Sequence, residues 1–366
     1  MPRLIRVLHL IDSLAPGGAE RVLVELVNHL NGTSIAPVVC ISRGDSTLAQ
    51  DIHPDIPIHQ LHRQGTWDRR GLRKLGQIVR SSSIDIVHAH GYSSSRFAVA
   101  AKAYNFLRTP IIMHAHDYQP PDRATKLMGC RGIAHFIGVA PKLVETGQSV
   151  LHFTEQKTSL LGNAIDPTHY MGSLPASRDT FFNHPYRFIG LVIANVRPVK
   201  NFETLFRALA ASRFKGELGV LIAGSLENEA YVRECRSLID ELGLSDSVVF
   251  LGSRRDLPML LAAADCTFLS SEDETGPMAL LEYMAAARPF VSTLVGQIGA
   301  EVAAAGIPAL VPPRDYAAFA REIDNLLSLP EAEREQRGMA GQQLLLQKFS
   351  IKARIERLEE IYRSLV

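Results

Sequence analysis

Cysteine is scarce and scattered: Cys40, Cys130, Cys235 and Cys266 are the four in the chain, and no two of them have Cys-x-x-Cys spacing. A zinc or disulfide framework is therefore not expected, and a reducing cytoplasm is. Long apolar runs are also missing. No stretch of about 18 uncharged apolar residues occurs, so no membrane-spanning helix is predicted. The opening segment reads as a strand ending at Asp12 and lacks the apolar core and small-residue cleavage site of a signal peptide. Excess charge is small, at +1 overall, and there is one Trp. So small a basic excess, with so few interleaved aromatics, argues against a nucleic-acid partner. No internal repeat, low-complexity tract or isolated Asp-x-Asp stands out.

What is present favours two domains, since the chain has 366 residues. The charge divides unevenly between the halves. Residues 1–170 hold 18 Lys and Arg against 13 Asp and Glu, while 171–366 hold 21 against 25. A basic first half suggests an anionic partner there.

β-type runs alternate with helical runs along the chain. In the first half, strands are expected at 5–11, 37–42, 56–61, 84–88, 111–114, 135–139 and 158–161. Helices are expected near 19–30, 70–81, 94–106 and 142–149. The pattern is βαβ with parallel sheets, an α/β chain. Such sheets place ligands beyond the carboxyl ends of their strands. Asp12, His88, His90, His114, His116 and Asp117 fall at those ends, and twelve of the 13 histidines precede residue 171. A metal reading of His88, His90, His114 and His116 is open. So is a packing reading, because alternate residues of a strand share a face.

The second half contains the stretch most pointed toward chemistry, Ser270-Ser-Glu-Asp-Glu-Thr-Gly-Pro-Met-Ala-Leu-Leu-Glu-Tyr-Met284. A short apolar strand precedes it and a helix-forming run follows, so it reads as a strand-to-helix turn. Gly276-Pro277 marks the start, with Pro277 at the first helical position, where its missing N–H costs nothing. The free N–H groups around Met278, reinforced by the helix dipole, suit an anion. Glu274 precedes that anion site, and Glu282 lies roughly 7–8 Å along the helix. Glu282 has Met278, Ala279, Ala285 and Ala286 as neighbours, a costly setting unless something polar meets it. An anion between two acceptors suggests a diphosphate flanked by two sugars, which is the shape of a nucleotide-sugar.

Two further turns share the phosphate-loop context. Asn195-Val-Arg197-Pro-Val-Lys200-Asn201 separates a strand at 187–194 from a helix at 202–211. The helix dipole disfavours cations at such a start, so an anion should compensate them. Gly17-Gly18 stands between the first strand and first helix, where small residues allow close approach to the backbone. It is not Gly-x-Gly-x-x-Gly, so a dinucleotide site is not indicated.

Glu274 and Glu282, with seven residues between them, resemble the Glu-x7-Glu motif of retaining glycosyltransferases of the GT-B fold, family four. The family's Gly-Phe is replaced here by Thr275-Gly276, and its Ala by Tyr283. Gly17-Gly18-Ala-Glu-Arg21, Val87-His-Ala-His-Gly91, His116-Asp117 and Leu161-Gly-Asn-Ala-Ile-Asp166 resemble further family segments. Lys200 and Asn201 match the family's Lys-(Gly/Asn). Asn195 stands where the family has Arg, and Arg197 supplies that charge from two residues on.

The resemblance implies two Rossmann-like domains facing across a cleft. These are an acceptor-binding domain over 1–170, a nucleotide-sugar domain over 171–349, and a C-terminal helix over 350–366 that packs back on the first. It implies that Glu274, His116, Arg197 and Lys200 serve catalysis. Gly17, Gly18, Arg197, Lys200, Gly276, Pro277, Met278 and Glu282 would bind the donor. No metal and no cofactor are expected, the donor being a UDP- or GDP-hexose type of nucleotide sugar. The implied reaction is retaining transfer of a hexose to a saccharide or lipid-linked saccharide, in cell-surface polysaccharide or glycolipid synthesis. Alternatives are another GT-B sugar-nucleotide enzyme, such as an epimerase, and a catalytically silent glycan-binding subunit. The basic run Arg69, Arg70, Arg73, Lys74 and Arg80 beside Trp67 also admits peripheral docking on an anionic inner membrane face. Arg96, Lys102 and Arg108 are expected to add charge on a neighbouring helix.

Overall fold

The structure, a computed structural model, describes residues 3–118, 120–308 and 310–366. It divides into two compact units, Met1–Ala164 with Ile351–Val366, and Ile165–Ser350. Among the described residues, no helix is long and apolar enough to cross a membrane.

The first unit runs β1 (Ile5–Ile11), α1 (Gly18–Leu30), β2 (Ile35–Ile41), β3 (Ile58–Gln60), α2 (Arg69–Ser81), β4 (Ile86–His90) and α3 (Tyr92–Tyr104). It continues with β5 (Ile111–Ala115), α4 (Arg123–Met128), β6 (His135–Gly138), α5 (Pro141–Ser149) and β7 (Thr158–Leu160). The seven strands form one parallel sheet in the order β3-β2-β1-β4-β5-β6-β7. β1 and β4 are buried along almost their whole length because helices cover both faces of such a sheet. Phe97, Phe136, Leu75 and Met113 are among the side chains filling one core cluster.

The second unit runs β8 (Phe188–Ile193), α6 (Phe202–Ala211), β9 (Leu218–Ala223), α7 (Glu229–Glu241), β10 (Val248–Gly252), α8 (Leu257–Ala263) and β11 (Cys266–Leu269). It continues with α9 (Met278–Ala285), β12 (Phe290–Thr293), α10 (Gly296–Ala304), β13 (Leu310–Val311), α11 (Tyr316–Leu327) and α12 (Glu331–Lys348). Its parallel sheet has the order β10-β9-β8-β11-β12-β13. Strand order reverses between β8 and β11, and in an open α/β sheet that is where a ligand crevice lies, beyond the carboxyl ends. The loops leaving those two strands carry Arg197 and Lys200 on one side and Glu274 on the other. The segment 171–186, read from sequence as a linker, is tied to this unit. Ala176 N donates to Met259 O at 3.0 Å, and Arg178 pairs with Asp265 at 2.9 Å.

The last helix, α13 (Ile351–Arg363), belongs to the first unit and packs on α1. Arg354 Nε donates to Gly162 O at 2.8 Å, and Tyr362 is fully buried. Three local expectations are corrected. β4 extends to His90, so His88 and His90 both lie within the strand. Arg108 lies beyond the end of α3, in the connection to β5. Pro277 is the N-cap of α9, with φ −63° and ψ 111°, and Met278 is its first helical residue. An extended ψ fits the cap, and proline's fixed φ is compatible with both positions.

Candidate functional site

In the second unit, Lys200 and Glu274 form a direct ion pair, both side chains being largely buried. Ser271 Oγ donates to the same carboxylate oxygen, Glu274 Oε1, at 2.8 Å. The Lys200 turn is bound to the Glu274 loop through two more contacts. Ser270 Oγ donates to Lys200 O at 2.9 Å, and Glu272 N donates to Val199 O at 2.9 Å. Asn201 adopts a left-handed conformation, φ 46° and ψ 56°, one that asparagine tolerates better than most residues. From there it caps α6, its Oδ1 accepting from Thr204 N at 3.3 Å. Arg197 stands exposed on the same turn, with no side-chain hydrogen bond or ion pair among the described residues.

Asn195, which occupies the family's arginine position, is committed elsewhere. Its Oδ1 accepts from Ser225 N at 2.9 Å and so joins the β8 and β9 exits. Gly224 is pressed against this turn: a Cβ there would lie 2.0 Å from Ala194 O.

α9 begins without a side-chain cap, and a helix start of this kind suits an anion. The loop before it packs on Gly296, which has φ +65° and where a Cβ would meet Thr275 O at 2.8 Å and Glu274 O at 2.9 Å. Only glycine meets both demands at that point. Gln297 N donates to Thr275 O at 3.0 Å, and Thr293 Oγ1 donates to Ser271 O at 2.7 Å. Glu282 is 1% exposed, and Tyr170 Oη donates to its Oε1 at 3.2 Å. That supplies part of the polar company a carboxylate needs among methionine and alanine. Tyr283, where the family has Ala, is fully buried. Its hydroxyl donates to Phe268 O at 3.0 Å and accepts from Ile193 N at 2.9 Å, linking the ends of β8 and β11.

In the first unit, Gly17 is the N-cap of α1 and Gly18 its first residue. A Cβ on Gly17 would lie 2.3 Å from Glu20 Oε2, so the carboxylate of Glu20 folds over that glycine. Asp12 accepts from Ser42 Oγ at 2.8 Å, Ser94 Oγ at 2.9 Å and Arg63 Nη2 at 2.5 Å. Burial pushes the Asp12 carboxyl up, but the Arg63 charge and hydrogen bonds from Ser42, Ser93 and Arg63 outweigh it, and its pKa falls below the ordinary value. Arg63 itself is buried and lies over the Phe97 ring, 4.6 Å from its centroid.

The histidines gather on one face of this sheet. Register pairs His9 with His88 across β1 and β4, and His90 with His114 across β4 and β5. His9, His88, His90 and His114 are at most 4% exposed, and His116 follows just beyond β5. Ring nitrogens of His9, His88 and His90, and of His90, His114 and His116, lie within 4.8 Å of one another. Neutral imidazoles in such groups are the donor type that zinc or copper takes. Burial lowers the pKa of His9 to about 3 and of His116 to about 4, and drives His88, His90 and His114 well below the ordinary value.

The structure therefore brings Lys200 and Glu274 into contact, sets Arg197 beside them, and buries Glu282 on the adjoining helix. Gly17, Gly18 and His116 lie in the first unit. Sequence reasoning missed Ser271, Tyr170, Tyr283, Gly296, Arg63, His9 and Tyr362. Only Gly296 carried a local signal, as a glycine opening a helix.

Two doubly wound parallel sheets with this ligand edge are the fold of the GT-B glycosyltransferases. HepE from Anabaena, solved in complex with UDP and glucose, superposes with a TM-score of 0.81 at 21% identity, covering 98% of this chain and 100% of that one. The family described as glycosyl transferases group 1 matches residues 178–343, and glycosyltransferase family 4 matches 16–169. The chain belongs to glycosyltransferase family four, of the group 1 type. Similar curated proteins include the D-inositol 3-phosphate glycosyltransferase of Salinispora tropica, 28% identical over 325 residues, 80% of this chain and 66% of that one. The N-acetyl-alpha-D-glucosaminyl L-malate synthase of Bacillus anthracis is 27% identical over 170 residues, 46% of this chain and 44% of that one. The match thus spans less than two thirds of either relative's length.

Proposed function

We propose that the chain is a retaining, metal-independent hexosyltransferase that uses a nucleotide-diphosphate sugar. The Lys200–Glu274 pair at the reversal of strand order carries this reading, because it joins a cation for the diphosphate to an acceptor for sugar hydroxyls. In this reaction the bond between the sugar's anomeric carbon and the diphosphate oxygen breaks, and charge grows on the leaving group. Lys200, Arg197 and the start of α9 at Gly276–Met278, where the helix dipole favours an anion, stabilise that charge. The acceptor hydroxyl attacks from the same face, and its proton passes to the departing diphosphate. Glu274 orients the hexose rather than bonding to it, and Glu282 takes the ribose hydroxyls.

The first unit takes the acceptor, a saccharide or lipid-linked saccharide, with Gly17 and Gly18 at its ligand edge and His116 at the sugar. A cytoplasmic setting on the inner face of the membrane, in surface polysaccharide or glycolipid synthesis, suits such an acceptor. Trp67, 77% exposed beside Arg69, Arg70 and Arg73, supports peripheral docking there. Arg96 contributes less than its charge suggests, being paired with Asp122 at 2.8 Å.

Screening UDP- and GDP-hexoses for a rise in melting temperature, then for hydrolysis and transfer in EDTA, tests the reading. One donor that stabilises the protein and is turned over without divalent metal is the expected result. Binding without turnover favours the silent subunit, sugar inversion without an acceptor favours the epimerase, and a strict metal requirement contradicts the mechanism.

A further inference from the structure

Five buried groups of the first unit, and half-buried His116, stand in one unbroken file. His114 Nδ1 meets His88 Nε2 at 3.1 Å, and His88 Nδ1 meets the Tyr362 hydroxyl at 2.6 Å. Tyr362 Oη reaches His9 Nε2 at 3.5 Å, His9 Nδ1 meets His90 Nε2 at 3.1 Å, and His90 Nδ1 meets His116 Nε2 at 3.0 Å. Each imidazole between the ends uses one nitrogen toward each neighbour, and the tyrosine closes the gap between the two arms. At one end His114 Nε2 is buried with no hydrogen-bond partner, and His114 and Arg354 line a cavity of about 10 Å³, the room one water needs. At the other end stands His116.

We propose that these six groups form a single polarised hydrogen-bond chain, so that the tautomer of His116 is set jointly with that of His114 through Tyr362. The argument is one of proton counting. A neutral imidazole has one N–H and one lone pair, so it donates on one side and accepts on the other. Burial keeps the rings neutral, since a charged imidazole here has no carboxylate among the contacts just described. Tyr362 has one proton, so it donates to one ring and accepts from the other. Were it to accept from both, its own buried O–H would be left without a partner. With every link made, only two arrangements remain: all five rings as Nδ1–H, or all five as Nε2–H. His116 cannot change from donor to acceptor at Nδ1 unless the whole file reverses.

Tyr362 is thus a positioning residue contributed by α13, the chain's last helix. It ties whether His116 offers a proton or a lone pair to the tautomer of His88 and His114. The consequence for catalysis rests on the proposed function, in which His116 stands at the sugar. The chain of bonds does not.

The full-length protein, labelled with ¹⁵N-histidine, is examined by long-range ¹H–¹⁵N correlation at neutral pH. The five rings should all be neutral and share one tautomer. A mixed set, or any of the five carrying both protons, overturns the proposal. Adding equimolar Zn²⁺ should leave their ring-nitrogen shifts in place; shifts showing that zinc has replaced ring protons overturn it as well. Tyr362→Phe, checked by circular dichroism for a native fold, removes the central link, and the His9–His90–His116 arm should then lose its agreement with His88 and His114. Retained agreement in a folded variant overturns the role of Tyr362. These readouts need no transferase activity, so failure to find a donor counts against the functional reading alone.

Discussion

Lys200 and Glu274, 74 residues apart, are ion-paired between the loops that leave β8 and β11. The cation assigned to the diphosphate is therefore held in place before any donor arrives, and a bound diphosphate competes with Glu274 for it. Arg197 has no such tie. Replacing either cation with alanine should weaken binding of free UDP or GDP by about tenfold or more, about 1.4 kcal/mol. Calorimetric titration checks this, and added salt should weaken wild-type binding too. Wild-type affinity in both variants would remove them from the diphosphate site.

Tyr283→Phe tests how β8 and β11 are held. The variant leaves Ile193 N, buried in the sheet, without its 2.9 Å partner, and Phe268 O loses the hydroxyl as donor. An unpaired buried group costs about 1–3 kcal/mol, and urea unfolding should show a loss of that order. An unchanged midpoint would mean that the hydroxyl contributes nothing net.

Acid should destabilise the first unit early. The folded pKa values of His9 and His116 are lowered to about 3 and about 4, and those of His88, His90 and His114 are lowered well below the ordinary value, all chiefly by burial. The unfolded chain titrates these rings near pH 6.5, so below that pH it binds more protons than the folded chain. Stability is whole above about pH 6.5 and falls as pH drops toward the folded values. Because several rings act together, urea midpoints should imply a slope steeper than about 1.4 kcal/mol per pH unit, the slope for one proton. A flat profile between pH 6.5 and 5 would contradict the buried, neutral cluster.

Membrane docking makes a separate prediction. Asp68 caps α2, accepting from Arg70 N at 3.0 Å and Gly71 N at 3.3 Å, while Leu72, Leu75, Ile78 and Val79 face inward. Arg69, Arg70, Arg73 and Lys74 are therefore left on the outer side. Each basic residue near an anionic surface contributes about 1 kcal/mol. The protein should sediment with anionic vesicles at low salt and be released at high salt. Arg69→Ser, Arg70→Ser, Arg73→Ser, Lys74→Ser should abolish this while donor binding persists. Absence of wild-type sedimentation at low salt would point to a soluble acceptor.

The alternation of strands and helices was legible because the central strands are buried on both faces and read as short, mostly apolar runs, as in Ile5–Ile11 and Phe188–Ile193. Glu274 and Lys200 were legible because their turns carry unusual charge beside a helix start. What joins them was not. Ser271 looked like an ordinary loop serine, and Tyr283 like a departure from a small residue, because the Phe268 carbonyl that its hydroxyl meets is fixed only by tertiary packing. Asn195 read as a lost cation, yet its amide ties two strand exits together. His9 and Tyr362, 353 residues apart, could be placed in one file only by seeing α13 lie on the sheet.

The most direct test of the account is a comparison of Glu274→Ala with wild type in both transfer and nucleotide binding. If Glu274 orients the hexose mainly in the transition state, turnover with the donor should fall more than about tenfold, about 1.4 kcal/mol or more. Affinity for the free nucleoside diphosphate should not fall, because the variant leaves Lys200 and Arg197 in place. Near-normal transfer by Glu274→Ala would contradict the account.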